Sequence, residues 1–278
     1  MKDPNVLILG INGMTGQEVD RYLHENHTNV FGTLRKDNNL TLSVDNLSSD
    51  FKKIIKKIKH VDYVINCIGL NSVDEKNKSE AIKINSQFPV KLSKLSKFYN
   101  FKLIHVSTDG VFSKISGKVD EFDTPSPNDT YGITKLLGES LNENSIVIRT
   151  SLIGLNPKKK KGLIEFVINS KKEIDGFENQ IWSGCTTLQF AKFTESLIYD
   201  QESLKMKKSK IIHFAPLGPI SKFALIKEIA KTRKLKIRVN KTNSSVIITR
   251  YLSSSIISKS KLNKFGRNLN TELDKLLN

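Results

Sequence analysis

Cysteine is nearly absent: Cys67 and Cys185 are the only two in 278 residues. Far apart and set among apolar or small residues, they cannot build a disulfide framework or a cysteine metal site, and both read as packing residues. No cluster of His, Cys, Asp and Glu has metal-ligand spacing, so no metal is expected. Long apolar runs are missing too, with nothing approaching the ~18–20 residues that span a bilayer. The opening Met1-Lys2-Asp3-Pro4-Asn5 has no apolar stretch of signal-peptide type. These absences predict a soluble, cytoplasmic protein without membrane contact. Acidic residues are outnumbered, 28 against 45 Lys and Arg, for a net charge of +17. Arginine supplies only seven of the 45, leaving 38 Lys. Nucleic-acid readers favour Arg for bidentate contacts to phosphates and bases, so the lysine excess reads as compositional bias, and nucleic-acid binding ranks last among functions. Lys158 to Lys161 is the one compact run of four. It is either a solvated loop or an attractor for a polyanionic small molecule.

What is present suffices for a core: 38% of residues are hydrophobic and 8% aromatic. Short apolar runs alternate with helical patterns, the mark of a parallel sheet covered on both faces. Strands are predicted at 5–9, 29–34, 40–44, 63–68, 102–107 and 145–149, with helices at 15–25, 50–59, 78–98 and 130–142 between them. Continuous runs such as Val6-Leu7-Ile8-Leu9 suit strands buried on both faces. The fold class is α/β, a Rossmann-type doubly wound sheet over residues 1–150, with a smaller substrate-binding lobe over 151–278 that sends some chain back to the sheet. In that lobe helices are predicted at 163–170, 188–199, 222–232 and 271–277.

The first strand runs into Gly10-Ile11-Asn12-Gly13-Met14-Thr15-Gly16, a GxxGxxG turn entering a helix. Glycines there allow a tight turn and bring backbone and helix N-terminus close to a pyrophosphate. The second strand leads to Leu34-Arg35-Lys36, where NAD-selective proteins place a carboxylate. Arg35 and Lys36 would instead meet a 2′-phosphate, favouring NADP (NADPH) over NAD, although a small register shift would give Asp37 the NAD role. Further on, Ser107-Thr108-Asp109 closes an apolar strand, and Tyr131 and Lys135 stand four apart on one helix face. A lysine beside a phenol would lower its pKa towards working pH, as a general acid for carbonyl reduction needs, and Thr108 can hydrogen-bond the same oxygen. Candidate substrate contacts are Thr108, Asp109, Arg149 at the end of the sixth strand, Trp182 and Thr186. For Arg149 a buried ion pair is an equal alternative. Trp182 can be core, and His105 reads as packed.

GINGMTGQ, INCIG, IKINSQFPVKLS, STDGVF, YGITKLLGE, IRTSLIG and WSGCTTLQFAK together resemble the extended short-chain dehydrogenase/reductase superfamily, and within it the dTDP-4-dehydrorhamnose reductase family. Roughly the last 50 residues match weakly. The resemblance implies a catalytic triad of Thr108, Tyr131 and Lys135. It further implies Asp45 and Asn46 near the adenine, Cys67, Ile68 and Gly69 near ribose and pyrophosphate, and a structural and relay part for Asn85 beside the cofactor. Asn85 is as readily a bridge between neighbouring elements. Gly110 stands where the family commonly has Tyr, which puts the sugar's identity in question more than the chemistry. The expected activity is keto reduction of a nucleotide-activated deoxysugar for surface polysaccharide synthesis, by a monomer or homodimer. An epimerase on the same scaffold and a non-catalytic dinucleotide-binding regulatory subunit are the alternatives.

Overall fold

A computed structural model of the chain describes residues 3–33, 42–71, 73–113, 115–156, 162–200 and 210–277. Its centre is a six-stranded sheet ordered β11-β6-β4-β3-β1-β2. These strands are β1 (Val6–Leu9), β2 (Val30–Thr33), β3 (Tyr63–Asn66), β4 (Lys102–Thr108), β6 (Ser145–Thr150) and β11 (Ile211–His213). Every pairing is parallel. All four residues of β1 are fully buried, and they divide by period two. Val6 and Ile8 face a core built with α1 (Met14–Asn26) and α7 (Thr187–Tyr199). Leu7 and Leu9 face one built with α2 (Leu47–Ile58) and α4 (Phe88–Tyr99). The chain beyond residue 150 therefore returns to the sheet twice, as β11 and as α7.

The predicted strand at 40–44 is not borne out where it can be followed: residues 42–44 form no strand, while Leu40 and Thr41 lie outside the described residues. Their backbone is satisfied by helices instead. Ser43 N–H donates to Asp50 Oδ2 at 3.1 Å, and Lys91 Nζ donates to Val44 O at 3.1 Å. The single helix expected over 78–98 is three pieces, α3 (Lys78–Ala81), a π-helical turn (Ile82–Gln87) and α4. Pro89 explains the widening, because it has no N–H for the carbonyl of Asn85 four residues back. Gly138 packs there so closely that a Cβ would come within 2.0 Å of Asn85 O. The same contact ends α5 at Thr130–Leu137, short of the predicted residue 142.

The later part of the chain holds a third core, with Ile153, Ile164, Trp182, Leu225, Ile229 and Leu273 buried together. Helices α6 (Leu163–Ile168), α8 (Lys222–Thr232), α9 (Lys259–Asn263) and α10 (Leu269–Leu277) follow the predicted pattern closely, α9 excepted. Short strands join them that periodicity does not reveal: β7 (Leu152–Ile153), β8 (Glu173–Phe177), β9 (Ile181–Ser183), β10 (Cys185–Thr186), β12 (Pro219–Ser221), β13 (Arg238–Thr242) and β14 (Tyr251–Leu252). β14 pairs with β5 (Lys118–Val119), tying this part to the segment just after β4.

Candidate active site

The carboxyl ends of β1, β3, β4 and β6 share one edge of the sheet, and the loops there carry most of the predicted site. After β1 the chain turns at Gly10 with φ +85°, a conformation that suits glycine. A Cβ on Gly16 would stand 2.3 Å from Gly10 O, so the helix can begin this close to the strand only without a side chain. Gly13 is the N-cap of α1 and brings no side-chain cap, leaving first-turn N–H groups around Met14 and Thr15 suited to an anion. Asn12 lies in the same turn. Asp45 and Asn46 are exposed at the start of α2. Arg35, Lys36 and Asp37 lie outside the described residues, as do Lys158 to Lys161.

Thr108 ends β4 and caps a 3-10 turn over Asp109–Phe112, its Oγ1 accepting the Gly110 N–H at 3.1 Å. Tyr131 and Lys135 stand on α5, which is capped by Asp129 accepting from Gly132 N–H at 2.6 Å. A Cβ on Gly110 would lie 3.4 Å from Thr108 Oγ1 and 3.5 Å from Tyr131 Cε1, so threonine and phenol close on one spot. One turn further along α5, a Cβ on Gly69 would lie 3.7 Å from Asn85 Oδ1 and 4.0 Å from Lys135 Nζ. The loop of Cys67, Ile68 and Gly69 thus passes over Lys135. Asn85 is fully buried and bridges the two parts: its Nδ2 donates to Leu70 O at 2.9 Å and to Thr134 Oγ1 at 3.1 Å, while Oδ1 accepts Leu70 N–H at 2.9 Å. The π-helical turn aims the side chain at both.

The expected tuning of the phenol by the lysine needs correction. Burial pushes Tyr131 up to about 12, with Asp109 and Asp129 adding to the rise and the Thr108 hydroxyl opposing it. Lys135 Nζ donates to Val106 O at 2.7 Å and is not among the influences on the phenol. Burial itself lowers Lys135 to about 8, against an ordinary 10.5. The folded chain therefore binds this proton less tightly than the unfolded chain, so the lysine costs stability below about pH 8, and the cost fades as pH rises towards 10.5. Lys135→Met is expected to be more stable than the parent at pH 7, the gap closing at alkaline pH. Denaturant titration at both pH values checks this, and a variant less stable at neutral pH would contradict it. His105, fully buried beneath, is held well below its ordinary value by burial and by Lys135, in keeping with a packed histidine.

Three residues offered as substrate contacts are buried and engaged elsewhere, Arg149 in the ion pair that was its alternative. Arg149 has a side chain 2% exposed and is paired with Glu139: Nε donates to both carboxylate oxygens at 3.1 Å and Nη2 to Oε2 at 2.6 Å. Trp182 packs into the third core and donates its indole N–H to Ser151 Oγ at 3.0 Å. Thr186 is fully buried as the N-cap of α7, accepting Gln189 N–H at 3.1 Å. Asp109 stays at the site, and beside it stands a residue that the motifs do not mark, Arg250, 3.2 Å from its carboxylate.

The family model for the RmlD substrate binding domain matches residues 4–271. The chain belongs to that family. A probable low-salt glycan biosynthesis reductase of Haloferax volcanii is 30% identical over 158 residues, 52% of either chain. The dTDP-4-dehydrorhamnose reductase of Mycobacterium tuberculosis H37Rv is 27% identical over 179 residues, 60% of this chain and 57% of its own. The chain thus spans little more than half the length of these curated relatives. The crystal structure of dTDP-4-dehydrorhamnose reductase from Bacillus anthracis, in complex with NADP, shares the fold with TM-score 0.81, 24% identity, and coverage of 99% of this chain and 98% of that one. A hypothetical dTDP-4-dehydrorhamnose reductase from Sulfolobus tokodaii superimposes with TM-score 0.74 at 27% identity over 94% of both chains. The RmlD-family membership agrees with the resemblance carried by the motifs and with the doubly wound sheet.

Proposed function

We propose that the chain is an NADP-dependent oxidoreductase that reduces a keto group on a nucleotide-activated deoxysugar, in the manner of dTDP-4-dehydrorhamnose reductase. The observation that carries this reading is the closure of Thr108 and Tyr131 on one spot at the carboxyl edge of the sheet. The reductase relatives and the NADP complex of a fold neighbour support it. The described residues fit a dinucleotide: Gly10, Asn12, Gly13, Met14, Thr15 and Gly16 would hold the pyrophosphate, Asp45 and Asn46 the adenine, Cys67, Ile68 and Gly69 the ribose and pyrophosphate region, and Lys135 the nicotinamide ribose, while the sequence offers Arg35 and Lys36 for the 2′-phosphate. Asn85 keeps the last loop in place. When bound, the nicotinamide supplies a hydride to the keto carbon. Tyr131 gives its phenolic proton to the carbonyl oxygen, since a developing alkoxide is the stronger base even against a phenol at about 12. Thr108 hydrogen-bonds the same oxygen, and Asp109 borders the sugar. The segment 151–278 serves as the substrate-binding lobe, and the enzyme works in the cytoplasm for surface polysaccharide synthesis, as a monomer or homodimer.

The test is NADPH oxidation by the purified chain against a dTDP-4-keto-6-deoxy sugar, with product counted. One NADPH per product is expected. Conversion without net oxidation would identify an epimerase instead, and binding without conversion a regulatory subunit. Arg35→Asp is expected to weaken NADPH and favour NADH by about 1–2 kcal/mol, the size of a screened charge contact. A parent chain that already prefers NADH would overturn the assignment of the 2′-phosphate to Arg35.

A further inference from the structure

Arg250 reaches the predicted site from 141 residues further along the chain. Its Nε donates to the backbone oxygen of Asp109 at 3.1 Å and its Nη2 to Asp109 Oδ2 at 3.2 Å. The backbone that delivers it is anchored on both sides of the contact, before it by Ile248, whose N–H donates to Asn179 O at 3.0 Å and whose carbonyl accepts Ile181 N–H at 2.7 Å. β14 begins at the next residue and pairs with β5, and Glu121 then accepts Ser254 Oγ at 2.5 Å and Ser255 N–H at 2.8 Å. The guanidinium side chain is 12% exposed, so its forked geometry is held rather than solvated. The other Asp109 oxygen, Oδ1, accepts from Thr108 Oγ1 at 3.3 Å. One carboxylate therefore joins Arg250 to the Thr108 hydroxyl.

We propose that Arg250 is a positioning residue for Thr108, acting through Asp109 by fixing both its backbone oxygen and its carboxylate. The inference rests on the reading of Thr108 and Tyr131 as the pair that serves the substrate's carbonyl oxygen. A threonine hydroxyl has one proton to give. Gly110 N–H occupies one lone pair of Oγ1, and the single proton is shared between Asp109 Oδ1 at 3.3 Å and the Tyr131 phenol. To bond a developing alkoxide, that proton must swing from Asp109 to the substrate. At 3.3 Å the bond to be broken is long, so the exchange is easy while the carboxylate stays ionised and in place. Burial works against ionisation of Asp109, and Arg250 is the leading influence that restores it. Lys222 at the start of α8 also acts on Asp109 by charge, and Tyr131 on α5 feels the carboxylate in turn. Without the guanidinium, Asp109 takes up a proton at higher pH and becomes a donor, so that it competes with Thr108 instead of aligning it.

Arg250→Gln is expected to lower kcat by roughly 10–100-fold with little change in KM, as a misplaced catalytic group does. The acid limb of the kcat profile should move up by about one pH unit, the shift that loss of an adjacent cation produces. Arg250→Lys should restore the limb but only part of kcat, because it returns the charge without the fork. If the effect passes through Asp109, the double variant with Asp109→Asn should be no slower than Asp109→Asn alone. Carboxyl-carbon NMR titration of Asp109, in the parent and in Arg250→Gln, reads the same link without any substrate. An unmoved midpoint, or single losses that multiply in the double variant, would overturn the proposal. A parent chain without turnover on any keto sugar would refute the proposed function, while the NMR midpoint would still decide the Arg250–Asp109 link.

Discussion

Tyr131→Phe is expected to cut turnover by ~10²–10⁴ while leaving NADPH affinity within a few-fold of the parent. The substitution removes one oxygen and keeps the ring, which packs against the place where a Gly110 side chain would begin. The fold should therefore be undisturbed, and any change belongs to the chemical step. Of the groups near the carbonyl oxygen, only the phenol can surrender a proton outright; Thr108 can share one but must keep it. The raised phenol, at about 12, does not weaken this expectation. Burial penalises the phenolate in the unliganded chain, yet the proton is required only when an alkoxide develops beside it. Single-turnover measurement of NADPH oxidation checks the prediction, and a variant within about tenfold of the parent would remove Tyr131 from the mechanism.

The contrast between Tyr131 and Arg149 shows what was legible in the chain and what was not. The placement of Tyr131, Lys135 and Thr108 was readable because it depends on spacing: four residues on a helix, and a polar residue at the end of an apolar strand, place groups by geometry that hardly varies. The glycine turn was readable for the same reason, as Gly16 has room for no side chain against Gly10. Arg149 ends its strand at the proper edge, but whether it faces ligand or core depends on Glu139, a partner on a different element. Trp182 and Thr186 likewise sit in strands of two or three residues, too short to show a period. The strand expected at 40–44 failed because alternating Leu42 and Val44 pack against helices, and Asp50 and Lys91 bond the backbone that a sheet neighbour would have bonded. Arg250 carried one faint signal. In a chain that uses Lys for 38 of 45 cations, a retained Arg suggests that the fork matters: Arg149 sets it on the Glu139 carboxylate, and Arg250 spreads it over the backbone oxygen and one carboxylate oxygen of Asp109.

Arg149→Leu is expected to destabilise the chain by about 3–5 kcal/mol, the cost of leaving one member of a buried ion pair without its partner. Glu139 is 4% exposed and receives three contacts from the guanidinium, with a fourth from Ser107 Oγ at 2.5 Å. After the substitution the Ser107 hydroxyl still donates to the carboxylate, while Lys135 and His213 act on it by charge alone. The Arg149 guanidinium also lies 5.0 Å over the Phe112 ring, a contact that leucine cannot replace electrostatically. For a chain of this size such a loss corresponds to a fall in Tm of roughly 10 °C. Removing both partners should hurt less than removing one: Arg149→Met with Glu139→Leu fills similar volume with apolar atoms and leaves neither member of the pair as an unpartnered charge, so the double variant is expected to recover much of the loss, less what Lys135 loses with the Glu139 carboxylate. Thermal unfolding of the parent, the two single variants and the double decides the matter. The substrate-binding role first expected for Arg149 makes the opposite prediction, a near-normal Tm with a KM raised many-fold in Arg149→Leu, and no recovery when Glu139 is replaced as well.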